Sequence, residues 1–152
     1  MQFEVLAWSR SRKQLAVMSV DVLLSLLATW MAFSLRLDTP NIPTPLQLRV
    51  YLLAPLLAIP VFVRFGLYRA IFRYTGQAAL IATAKAVALY GVLLSALLLW
   101  AQWTMVPRSL GILQPLIFLI LVGASRAFAR FWLAGLDFAG EDVSFIGGSM
   151  IF

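Results

Sequence analysis

Asp21 is the acidic residue with the most informative position, because it lies inside a long apolar stretch rather than in a loop. It is about six residues, roughly 9 Å, beyond the start of that stretch, which is too deep for a short side chain to reach water. A carboxylate there needs a cationic partner or a proton. Lys85 and Arg126 fall at similar depth in other apolar stretches, so we predict a structural charge pair between Asp21 and one of them. A proton or ion relay is the alternative, but a relay normally needs acidic groups at several depths.

The other residue types restrict catalysis. The chain has no histidine and no cysteine, which excludes zinc sites with Cys or His ligands, thiol nucleophiles and histidine-based triads. The remaining acidic residues lie in terminal or loop segments without a partner at a diagnostic spacing; they are Glu4, Asp38, Asp137, Glu141 and Asp142. Ser109 follows Arg108 and is expected to cap a helix. We therefore predict no catalytic residue, no metal site and no enzymatic activity for this chain alone.

A cluster of basic residues lies in the segment 64–76. Its large apolar side chains would share one face of a helix: Leu67, Tyr68, Ile71 and Phe72. Arg69 and Arg73, four residues apart, would lie on the opposite face. We predict an amphipathic elbow on the cytoplasmic membrane surface, in which Arg64, Arg69 and Arg73 contact anionic headgroups. A docking surface for a cytoplasmic domain or a phosphate-bearing substrate is the alternative.

The apolar stretches define the elements that carry these residues. Hydrophobic residues make up 62% of the 152 residues and charged residues 12%, whereas soluble domains carry about 25% charged residues. Four stretches are candidate membrane spans, at about 15–35, 50–66, 86–103 and 110–129. The second is short unless the flanking Arg49 and Arg64 reach toward opposite headgroup layers. The predicted fold is all-α, an integral membrane four-helix bundle over 15–135, between a basic N-terminus (1–14) and a tail (136–152). Pro55 and Pro60 predict a kink in the second span.

The basic residues predict the orientation. With a cytoplasmic N-terminus, nine Lys and Arg side chains lie in inside segments and three in outside segments. The positive-inside rule then places both termini in the cytoplasm. The outside segment between Arg36 and Arg49 contains Pro40, Pro43 and Pro45, which predicts an extended loop.

Several short motifs occur in an order typical of one protein family. They are Phe33-Ser-Leu-Arg-Leu37, the segment 54–69 ending in Arg64-Phe-Gly-Leu-Tyr-Arg69, Tyr74-Thr-Gly76, Ala84-Lys-Ala86 and Val106-Pro-Arg-Ser109. This order resembles the N-terminal membrane region of the CapD-like bacterial polysaccharide biosynthesis proteins, which are membrane-anchored nucleotide-sugar 4,6-dehydratases and epimerases. The resemblance covers roughly residues 13–135, and its most specific parts are 64–69 and 106–109.

The resemblance implies that a Rossmann-type domain, which holds NAD(P) and the catalytic residues, follows the fourth span. The chain ends at Phe152 and is expected to be truncated before that domain. Residues 143–152 resemble the domain's first strand and the opening of its glycine turn. Gly147 and Gly148 are only a remnant of the G-x-G-x-x-G pattern, so we expect no cofactor binding by this chain.

The predicted function is therefore a non-catalytic membrane anchor in bacterial capsule, O-antigen or glycan biosynthesis, located in the cytoplasmic (inner) membrane as a multi-pass protein. The alternative is a self-sufficient small membrane protein that acts as a scaffold or transporter subunit. The expected partner is the lipid bilayer, and a homo-oligomer or contacts with glycan-assembly membrane enzymes are compatible with this function. Nucleic acid is not expected, because the basic residues form no continuous face.

Gly91 and Ser95, four residues apart, predict a third helix that packs centrally.

Overall fold

The computed structural model describes residues 9–70 and 77–148, and all regular secondary structure in these residues is helical. Four long helices and one short helix follow each other along the chain: α1 (Arg10–Leu37), α2 (Pro45–Arg64), α3 (Leu67–Ala70), α4 (Gln77–Ala101) and α5 (Leu110–Gly148). The long helices pack as a bundle, so the predicted all-α fold is confirmed.

Each long helix is long and apolar enough to cross a membrane; within the described residues these candidate spans are Ser11–Leu37, Pro45–Arg64, Gln77–Ala101 and Leu110–Trp132. Large apolar side chains cover the outside of the bundle, with Leu52, Leu56 and Ile120 about 70% exposed. Such a continuous apolar surface suits lipid and would aggregate in water. The chain is a multi-pass membrane protein.

The long helices form a square in the order α1, α2, α4, α5, and each packs against two neighbours. Helices α4 and α5 are antiparallel, because Gly91 faces Pro115 while Ser95 contacts Gly111. The prediction that the third long helix is central is wrong, because α4 packs against α2 and α5 in the same way as every other long helix packs against two neighbours. We call the end of the bundle where α1 and α4 begin the basic end.

Helix α2 begins earlier than predicted. The Thr44 side chain accepts a hydrogen bond from the Gln47 N–H at 3.4 Å, and the Gln47 side chain accepts one from the Thr44 N–H at 3.1 Å. This capping box satisfies two orphan donors, and Pro45 occupies the first helical turn, where its missing N–H costs nothing. Pro45 therefore belongs to the helix rather than to the loop, and α2 continues through Pro55 and Pro60.

Helix α5 is much longer than its predicted span. Its 39 residues correspond to about 58 Å at 1.5 Å per residue, although the candidate span ends at Trp132. The boundary predicted at residue 135 falls inside the helix. The strand and glycine turn implied for residues 143–152 are not found in 143–148, because Gly147 and Gly148 are the last residues of α5. Residues 149–152 lie outside the described part of the chain. A lone strand leaves its backbone groups unpaired, whereas a helix pairs them internally.

Candidate functional site

A charge pair is buried between α1 and α5 near the basic end. The Arg126 Nη2 atom lies 3.3 Å from Asp21 Oδ2, and Asp21 is only 3% exposed. Arg126 is one of the two partners predicted for Asp21. The other, Lys85, is exposed on α4 and does not take part in this pair.

The pair uses one side chain each from α1 and α5, and each of the other three helices contributes one side chain that surrounds it. Arg126 Nη1 donates to Thr83 Oγ1 at 3.5 Å, and the guanidinium carbon lies 5.8 Å from the centre of the Phe62 ring. Tyr68 of α3 lies beside Asp21. We call these five residues, Asp21, Phe62, Tyr68, Thr83 and Arg126, the Arg126 cluster. It joins all the helices at one level of the bundle.

Tyr68 is the one residue of the Arg126 cluster that lies outside the candidate spans, and its hydroxyl carries a proton. It is buried and faces the Asp21 carboxylate. Burial and the neighbouring Asp21 carboxylate both raise the pKa of Tyr68, because each disfavours the phenolate. Tyr68 therefore stays neutral at physiological pH and can act only as a donor or acceptor of hydrogen bonds.

A second polar layer lies deeper in the bundle. The Tyr90 hydroxyl donates to Gln114 Oε1 at 2.9 Å, and Gln114 Nε2 donates to Thr29 Oγ1 at 3.4 Å. All three side chains are buried. Phe118 separates this layer from the Arg126 cluster by stacking on Phe62 at 5.6 Å and meeting the edge of Tyr90 at 5.5 Å.

Sequence reasoning missed this second layer. Thr29 and Gln114 are uncharged, so they barely disturb the apolar pattern of their spans. A usable signal was present in α1, where Asp21, Ser25 and Thr29 recur every four residues and are all buried. That spacing places them on one helix face, which is the face turned to the interior.

A third polar group fastens the loop between α1 and α2 at the opposite end. The Trp30 indole donates to the Asn41 carbonyl at 3.1 Å. The side-chain amide of Asn41 donates to Gln47 Oε1 at 3.3 Å, and the backbone N–H of Asn41 donates to Ser34 Oγ at 3.2 Å. These bonds hold the proline-rich segment against the bundle.

The predicted basic elbow differs from its expected form. Gly66 has a φ of +66°, which reverses the chain after α2, and Leu67 and Tyr68 then pack into the bundle with 1% and 5% exposure. Their apolar face is therefore covered by protein rather than by the membrane surface. Arg64 and Arg69 are exposed at this turn. Arg73, with Ile71 and Phe72, lies outside the described residues.

The polar interior supports a structural role better than a transport role. Asp21 is the only acidic residue in the four candidate spans, and Arg126 neutralises it. A relay needs ionisable groups at successive depths, whereas the second layer holds only hydroxyl and amide groups. In the described part of the chain, no three acidic, His or Cys side chains come together to hold a metal ion.

Comparison with protein families, curated proteins and solved structures gives no match to this chain. The fold and the buried polar layers define a class, that of a multi-pass helical membrane protein with a polar interior. The likeness to the CapD-like family stays a prediction from sequence motifs.

Proposed function

We propose that the chain is a non-catalytic membrane anchor that holds a nucleotide-sugar dehydratase or epimerase domain of bacterial polysaccharide biosynthesis at the inner membrane, with both termini in the cytoplasm. The single observation that carries the anchor role is the length of α5. One continuous helix crosses the bundle as far as Trp132 and continues to Gly148. Such a helix couples a membrane bundle directly to whatever it carries in water.

The nature of the carried domain rests on the sequence motifs. The two most specific motifs lie at opposite ends of the bundle: residues 64–69 include the turn at Gly66, and residues 106–109 precede α5. Both are turn segments that set how neighbouring helices meet. In the proposed role the Rossmann-type domain supplies the NAD(P) chemistry, while this chain supplies position near lipid-linked glycan assembly.

The genome provides the first test. We expect an open frame downstream of this sequence that encodes a strand followed by a complete G-x-G-x-x-G turn. A stop codon followed by an unrelated gene would contradict the anchor role and favour a self-sufficient scaffold or transporter subunit.

A biochemical test separates anchoring from catalysis. The purified chain, incubated with UDP-sugars and NAD(P), should give no product. The longer protein that includes the expected downstream frame should sediment with membranes and turn over a nucleotide sugar. Deleting residues 1–135 from that protein should release the activity into the soluble fraction. Turnover by the purified chain alone would overturn the proposal.

A further inference from the structure

A lipid-facing groove runs between α4 and α5. Its volume is about 550 Å³, within the range of about 300–1,000 Å³ typical of small-ligand sites. Small and branched apolar residues line it, including Ala84, Ala88, Val92, Ala96, Ile112 and Leu116. Val92 and Ile112 are both about two-thirds exposed, so the groove opens away from the bundle core.

The floor of the groove is fixed by close helix packing. A Cβ atom placed on Gly91 would lie 3.0 Å from Pro115 Cβ, and Ser95 Oγ donates to the Gly111 carbonyl at 2.7 Å. The two helix backbones therefore approach closely along the floor, and the side walls stand above it. The groove is a formed surface feature rather than a gap between loosely packed helices.

The groove is long enough to hold an extended hydrocarbon chain of one leaflet. Its lining on α4 runs from Ala84 to Leu99, which is about 22 Å at 1.5 Å per residue. One leaflet contributes about 15 Å of hydrocarbon, half of a typical bilayer core. A chain that enters from the basic end can therefore lie in the groove along its whole length.

Two exposed cations lie toward the basic end at different depths. Lys85 adjoins the lining on α4, whereas Arg130 is about 16 Å past the last lining residue of α5. Lys85 lies on α4 next to Ala84 and on the same helix face as Ala88 and Val92. Arg130 lies on α5, three helical turns beyond Leu119 of the lining. Helical side chains lean toward the N-terminus of their helix. In this antiparallel pair, that brings Lys85 toward the basic end and Arg130 back toward the groove.

We propose that the groove binds one acyl chain of an anionic phospholipid, whose phosphate lies between Lys85 and Arg130. The apolar lining accommodates the chain, and the two cations neutralise the headgroup. This site goes beyond the proposed anchor function and does not depend on it.

Charge complementarity selects the lipid over a second copy of the protein. Two copies joined through this groove by a two-fold axis would present the same surface to each other. Lys85 and Arg130 would then approach their own counterparts at the same depth, and like charges repel. An anionic headgroup meets the same cations favourably.

The test is a lipid titration of the full chain purified in mild detergent. Dioleoyl phosphatidylglycerol and dioleoyl phosphatidylcholine, which share their acyl chains, are added separately, and bound lipids are counted by native mass spectrometry. We expect one tightly held phosphatidylglycerol. Lys85→Gln and Arg130→Gln should each weaken its binding about fivefold and leave phosphatidylcholine binding unchanged.

Matched variants separate the groove from the general surface. Ala88→Phe should weaken the binding of both lipids because its ring fills the groove, whereas Ala16→Phe changes another exposed alanine, on α1, and should have no effect. Arg64→Gln removes a charge at the same end but outside the groove. All variants should retain wild-type helicity by circular dichroism.

Three results would overturn the proposal. Arg64→Gln could weaken phosphatidylglycerol binding as much as Lys85→Gln, which would indicate general surface charge. Ala88→Phe could leave lipid binding unchanged, which would remove the groove as the site. The chain could also form a dimer that Ala88→Phe abolishes, which would make a second copy the occupant.

Discussion

Asp21 and Arg126 neutralise each other at 3.3 Å within an otherwise apolar bundle. Such a pair contributes little net stability compared with apolar residues of the same size, but removing one partner leaves a buried charge without compensation. Each charge lies in the interior of its helix, more than ten residues after the helix begins. The pair therefore also fixes which level of α1 meets which level of α5. Its main contribution is to the register of the bundle.

Breaking this pair from one side should destabilise the protein. Asp21→Asn removes the carboxylate and leaves the Arg126 guanidinium, whose side chain is only 16% exposed, without a counter-charge, so we expect the free energy of unfolding to fall by about 3 kcal/mol. Circular dichroism during unfolding in mixed dodecylmaltoside and SDS micelles measures this change.

Two further variants test whether the unpaired charge causes that loss of stability. Asp38→Asn removes an exposed acidic residue at the left-handed C-cap of α1, where Asn is well tolerated, and should not lower the free energy of unfolding. The double variant Asp21→Leu with Arg126→Met removes both charges and should recover most of the stability. A proton flux in liposomes that disappears with Asp21→Asn would instead support the relay.

The second polar layer gives an independent prediction. Gln114→Leu removes the partner of both Tyr90 and Thr29, so we expect a loss of about 1 to 2 kcal/mol in the same unfolding measurement. Adding Tyr90→Phe to Gln114→Leu should cost little more, because the stranded hydroxyl is then gone. Gln77→Leu, at an exposed position, serves as the control. Additive losses from Gln114→Leu and Tyr90→Phe would show that the two side chains act separately.

The sequence predicts charged sites in this interior better than uncharged ones. Asp21 stands out because a carboxylate in lipid has a large energetic cost, and the depths of Lys85 and Arg126 limit the partners to two. Choosing between them requires knowing which way each helix face turns. Gln114 and Thr29 carry no comparable signal, since a hydroxyl or amide can bond locally within its own helix.

At the scale of elements, the tightest contact joins α4 to α5. Gly91 packs against Pro115, and Ser95 bonds to the Gly111 carbonyl. Small residues permit this approach, which supplies van der Waals contact where lipid removes the hydrophobic drive between helices. The spacing of Gly91 and Ser95 predicted a packing face, but it could not reveal which helix would cover it.

Two glycines on α5 provide a matched test of this contact. A Cβ atom on Gly111 would lie 2.7 Å from Ser95 Oγ and 2.9 Å from Ser95 Cα, so Gly111→Ala should force the helices apart and cost about 1 to 3 kcal/mol. Gly123 has nothing within 4 Å of that position, and Gly123→Ala should be neutral or stabilise by up to about 1 kcal/mol. Unfolding in mixed micelles compares the two variants, and equal effects would contradict the close packing.

Helix ends were the least predictable elements. The start of α2 depends on Thr44, Pro45 and Gln47, a local pattern that hydropathy does not register. The end of α5 was placed too early because residues 133–148 mix apolar residues with glycines and acids. Leaving the membrane ends an apolar stretch, but it does not end a helix whose backbone bonds are internal.

At the scale of the whole molecule, the uneven distribution of basic residues predicts the orientation in the membrane. Reporters fused after Asp38, Thr75, Met105 and Gly140 test it. We expect green fluorescent protein to fluoresce after Thr75 and Gly140, and alkaline phosphatase to be active after Asp38 and Met105. Fluorescence after Asp38 would contradict the predicted orientation.

The continuity of α5 has a mechanical consequence. About 24 Å of the helix lies beyond Trp132, and it is joined without a break to the membrane-crossing part. Transmembrane helices tilt by about 20° on average and adjust their tilt to bilayer thickness. If the tilt of α5 changed by about 20°, the end of the helix at Gly148 would move sideways by about 8 Å relative to Trp132. Local thinning or thickening of the bilayer would thus be converted into a lateral displacement outside it.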